Sequence, residues 1–81
     1  MQLKNNERVL LMKTMLISLQ SATYAIKAKR VLNRNGVSAK PVKLDGTKSK
    51  NGCTHGIEIF VQDFYNAVMI LKNEDIEYFV Y

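Results

Sequence analysis

The sequence predicts an α+β domain in which two helices lie on one face of a four-stranded antiparallel sheet. Three observations lead there. Apolar residues recur at helical spacing in segments 21–36 and 63–73. Alternating or short apolar runs mark four strand segments around and between them. The resulting order is strand, helix, strand, strand, helix, strand. With 81 residues the chain forms one domain with one modest core.

Residues 1–12 show neither clear alternation nor a capped helix, and Asn5, Asn6, Glu7 and Arg8 are polar. They read as an N-terminal arm, expected to be mobile, ahead of a single domain at 13–81. Lys13 to Leu19 carries Met15, Leu16, Ile17 and Leu19 in the pattern of a mostly buried central strand. Ser21 is suited to cap a helix in which Ala22, Ala25, Ala28 and Leu32 form an apolar stripe flanked by Tyr24 and Val31. Lys27, Arg30 and Arg34 fall on the opposite side, and Gly36 suits a left-handed stop.

Val37 to Leu44 alternates as a strand, with Val37, Ala39, Pro41 and Lys43 on one side. Pro41 lacks an N–H and belongs at a sheet edge, where Lys40 and Lys43 discourage pairing with another chain. Ile57, Ile59 and Val61 alternate with Glu58, Phe60 and Gln62 as a third strand. Asp63 is placed to cap a helix carrying Phe64, Ala67, Val68 and Leu71. Asn73 to Asp75 makes the turn, and Ile76, Tyr78 and Val80 share one face of the last strand. Ala28, Leu32 and Val37 repeat the spacing of Ala67, Leu71 and Ile76, an echo between two halves. Two right-handed crossovers joined by a hairpin give the ferredoxin-like split βαββαβ fold, in strand order 4-1-3-2. The sheet face away from the helices then exposes Phe60, Tyr78 and neighbouring apolar side chains, for which a homodimer is the expected cover.

The net charge of +5 is unevenly placed. Eight cations fall in residues 27–50 against Asp45 alone, whereas residues 51–81 hold five carboxylates against Lys72. Such a division either solvates ordinary surfaces or marks a charged interface. The apolar stretch Val9 to Leu19 is interrupted by Lys13 and Thr14, has no cleavage site after it, and is too short to span a bilayer. A single cysteine suits a reducing, cytoplasmic setting, and no membrane partner is expected.

Chemistry points to Lys43–Gly56, which holds the only cysteine and the only histidine. Gly52 and Gly56 flank Cys53 and permit sharp turning, while Lys48, Lys50 and His55 place positive charge nearby in sequence. That pattern predicts an exposed thiol with thiolate character. A lone cysteine equally suits an inert, buried packing residue. A Cys53–His55 pair lacks an evident third group to orient the imidazole. One Cys and one His make half a zinc site, and the glycines at 46, 52 and 56 match no nucleotide-binding pattern. No metal or cofactor is therefore expected. RNA binding is a rival reading for a small basic domain of this fold, although the inner strands offer only Phe60 for base stacking.

Ser21, Ala25, Ala28, Leu32, the turn at Gly36, the following strand, Cys53 and Gly56 together resemble a family of small bacterial selenium/sulfur carrier-like domains, over residues 13–81. The chain departs from the family pattern at Lys29, where a glutamate is common, in lacking a Pro-Arg segment before the loop, and in the insertion of Thr54 and His55 before Gly56. The resemblance implies a non-catalytic carrier. It would hold a sulfur or selenium atom on Cys53 as a persulfide or selenosulfide, between a donor such as a cysteine desulfurase and an acceptor protein. Lys48 and Lys50 would steady the anion or dock an acidic partner. The alternative is a small regulatory or dimerising domain in which Cys53 is incidental.

Overall fold

The computed structural model describes residues 13–45 and 52–81. They form an α+β unit, an open four-stranded antiparallel sheet with two helices. The elements are β1 (Thr14–Leu19), α1 (Ala22–Arg34), β2 (Ala39–Lys43), β3 (His55–Phe60), a 3₁₀ turn (Val61–Asp63), α2 (Phe64–Asn73) and β4 (Phe79–Val80). The strands lie side by side in the order β2-β3-β1-β4. β1 runs the full length of β3, from Thr14 opposite Phe60 to Leu19 opposite His55. Pro41 sits on the edge strand β2, opposite Ile57, where its missing N–H costs no ladder bond on the outer side.

One side of the sheet faces the helices. Ile17 and Leu19 of β1, Ile57 and Ile59 of β3, and Ala39 of β2 form one buried cluster with Ala25, Ala28, Val31 and Leu32 of α1 and Ala67 and Leu71 of α2. Alanines at the helix contacts keep both helices low on the sheet, and Ile and Leu fill the space between. Met15, Phe64, Ile70 and Tyr78 close the rim of this core. Tyr78 thus belongs to the helix side rather than to the opposite face.

Both helices end the same way. Beyond α1, Gly36 takes φ +83°, its N–H donates to the Asn33 carbonyl (3.1 Å), and the Val37 N–H reaches the Leu32 carbonyl (2.9 Å). Beyond α2, Asp75 takes φ +56°, with N–H bonds from Asp75 to Lys72 (3.1 Å) and from Ile76 to Leu71 (2.9 Å). These are two Schellman caps, each joining an apolar residue in the last turn to one just past the stop. The spacing shared by Leu32–Val37 and Leu71–Ile76 in the sequence is this cap, used twice.

Four local expectations are corrected. Ile76 is held by the α2 cap, so the last strand is confined to Phe79–Val80 and the alternation of Ile76, Tyr78 and Val80 does not describe a strand. Asp63 precedes α2 but its carboxylate caps nothing: it ends a 3₁₀ turn at φ −93°, ψ 1°, away from the extended geometry that aims a capping side chain. Val61 opens that turn and is no strand residue. Ala22, in the first turn of α1, is exposed and stands outside the buried stripe. Ser21 does cap α1, its Oγ accepting from the Tyr24 N–H at 3.3 Å. The arm at residues 1–12 lies outside the described residues.

Candidate functional site

The β2–β3 hairpin carries the residues singled out in the sequence. Lys48 and Lys50 lie outside the described residues. Gly52 is exposed at φ +67°, and a Cβ there would meet no atom within 4 Å. Cys53 follows it and is buried, at 9% exposure, which corrects the expectation of an exposed thiol. It is not part of the helix-side core cluster.

The reason lies in how the hairpin folds. Pairing continues past the strand ends, because the Leu44 N–H donates to the Thr54 carbonyl at 2.9 Å. The Leu44 side chain then lies over Gly56, where an added Cβ would come within 2.8 Å of Leu44 Cδ1 and closer still to the Ile17 carbonyl oxygen. Gly56 is opposite Ser18 and Val42, on the face turned away from the helices. Ser18 sits at the centre of that face yet is only 1% exposed. Something therefore roofs it.

Tyr81 shows what. Its N–H donates to the Leu16 carbonyl (3.1 Å) beside β1, and its phenol O–H donates to the Asp45 carbonyl (3.3 Å). Asp45 follows β2, at the far edge of the sheet. Three strand spacings, about 14 Å, separate those edges, more than a tyrosine side chain spans. Asp45 and Tyr81 therefore meet over the open face, where the Leu44 side chain lies on Gly56. Gly56 is a close-approach glycine in β3 rather than a turn residue.

His55 also lies in β3, opposite Leu19 and Lys43. It lines a shallow groove of about 270 Å³ with Lys43, Pro41, Ala22 and Ile26, at the start of α1. Cys53 does not line it. Among the described residues no cluster of three His, Cys, Asp or Glu side chains is placed to hold a metal ion. Among them, too, no helix is long and apolar enough to cross a membrane.

A second surface was not singled out as a site in the sequence. A groove of about 420 Å³ runs along α1, lined by Ile26, Lys27, Arg30 and Arg34, with Glu74 from the end of α2 at its rim. On α2, Tyr65 is 83% exposed and Met69 is 55% exposed. The signal was present as the cations at 27, 30 and 34 and the Tyr-to-Met spacing of four, but residue patterns alone do not separate a solvated face from a docking one.

Comparison with known proteins finds no counterpart: no family model, no curated protein and no solved structure matches this chain.

Proposed function

We propose that this chain is a ferredoxin-like domain that works by binding another protein through its helix layer, with Cys53 acting as a packing residue of the hairpin. The fold assignment is supported by the order β2-β3-β1-β4, which is 4-1-3-2 read from the other edge, and by helices that follow β1 and β3. The observation that carries the function is the exposure of Tyr65 and Met69 one turn apart on α2. Aromatic and methionine side chains are enriched in the cores of protein interfaces. The test is the double variant Tyr65→Ser/Met69→Ser. It should keep its stability within about 0.5 kcal/mol, as surface substitutions do, and lose the bound protein that copurifies with wild type and rebinds when both are purified. Retention that depended on Cys53 instead would overturn the reading.

The carrier reading is second, and one observation favours it. Cys53 lies outside the helix-side core cluster and directly follows the exposed Gly52 at φ +67°. In that reading the Cys53 thiolate, its proton given to water, attacks the outer sulfur of a donor persulfide, such as that of a cysteine desulfurase. An S–S bond forms on Cys53 as the donor's S–S bond breaks, and the donor leaves as a thiolate. No cofactor enters this step. Intact mass of protein isolated without reductant should show one added sulfur or selenium atom, absent from Cys53→Ser. Unmodified wild type after exposure to a loaded desulfurase would end this reading.

A further inference from the structure

We propose that the helix layer is the contact surface of a two-fold dimer of this chain, in which the basic flank of α1 in one copy faces the acidic end of α2 in the other. The proposal rests on the binding-domain reading and names its partner. Lys27, Arg30 and Arg34 stand at spacings of three and four along α1, all exposed, on one side of the groove. None of them pairs with a carboxylate among the described residues. Glu74 stands at the rim of the same groove, and the exposed Asp75 and Glu77 continue the acidic end beyond α2. Glu77 accepts a hydrogen bond from the neutral Gln20 amide (2.9 Å), which fixes this end beside the start of α1 and leaves its charge uncompensated.

The two patches thus adjoin one another with opposite sign. A two-fold axis between adjoining patches of opposite sign brings each onto its complement in the other copy, which is the condition for a self-complementary interface. Ile26, 46% exposed and lining the same groove, supplies apolar surface between the charges. A nucleic acid fits less well. Its phosphates would meet the carboxylate of Glu74, which lines the groove, and phosphates offer nothing to bury against Ile26.

The test is sedimentation of the full chain with two charge-reversed variants, Arg30→Glu/Arg34→Glu and Glu74→Lys/Glu77→Lys. Wild type should dimerise at concentrations on the order of 100 μM. Raising the salt from about 0.05 M to about 0.5 M should weaken the dimer roughly ten-fold, because the Debye length shrinks several-fold. Each variant alone should be monomeric, since each carries two patches of one sign, and an equimolar mixture of the two should restore the dimer. Helical circular dichroism of each variant checks that both remain folded. A wild type monomeric at roughly 1 mM in low salt overturns the proposal. So does a dimer indifferent to salt and charge reversal, a mixture that fails to associate, or retention of RNA that vanishes in Arg30→Glu/Arg34→Glu. Loading of sulfur on Cys53, read by mass, would count against the binding-domain reading and is told apart from the dimer, read by sedimentation, whereas a monomer removes the dimer and leaves that reading in place.

Discussion

At Gly56 an added Cβ would strike the Ile17 carbonyl oxygen, which is held in the β1–β3 ladder and has nowhere to go. Gly56→Ala should therefore destabilise the domain by about 1–3 kcal/mol, the usual cost of forcing atoms into a packed site, as read from urea unfolding. Asp75 poses the opposite case, a side chain where φ is +56° and glycine is the easier occupant. Asp75→Gly should stabilise by about 0.5 kcal/mol through relief of left-handed strain, and an unchanged urea midpoint would refute that. The sequence made Asp75 visible as a turn residue, which it is. Gly56 looked like a turning glycine because it flanks Cys53, whereas its constraint, the backbone of Ile17, is remote in sequence. Cys53 was likewise read from its neighbours in the chain. Its burial is not something a local pattern can report.

The helices and inner strands were legible because each has its own periodicity. Ser21, the alanine stripe and Gly36 bounded α1, and the structure places that helix at Ala22–Arg34. Leu32 is wholly buried at the point where α1 meets the sheet and closes onto Val37. Leu32→Ala should cost about 2–5 kcal/mol, measured as a loss of unfolding free energy, while Ser21→Ala should cost about 1 kcal/mol. β4 was the element least legible. Its residues alternate well in sequence, but the cap of α2 takes Ile76 before a ladder can begin, so the competition was decided by the helix end. Asp63 was misread for a related reason, because a 3₁₀ turn between β3 and α2 rotates it out of capping geometry.

For the whole molecule, the edge position of Pro41 and the one-sided placement of the helices were both implied by the order of elements and by a single proline. The roof over the other sheet face was not, since it depends on Tyr81 meeting the carbonyl of Asp45 from across the sheet. Removing that tie tests the roof. Tyr81→Phe should lose about 0.5–1 kcal/mol, as for a part-exposed neutral hydrogen bond, and should raise the rate at which iodoacetamide alkylates Cys53. An alkylation rate unchanged from wild type would mean that the hairpin holds its position without Tyr81.

The unequal neighbours of β1 carry a consequence for its amide protons. Six residues of β1 face β3, but only Ile17 and Ser18 face β4. In a central antiparallel strand, successive N–H groups point alternately to one neighbour and the other. Protection against deuterium should therefore alternate along β1. Amides aimed at β3 should open only with global unfolding, and those aimed at β4 should exchange through fraying of a two-rung ladder, orders of magnitude sooner.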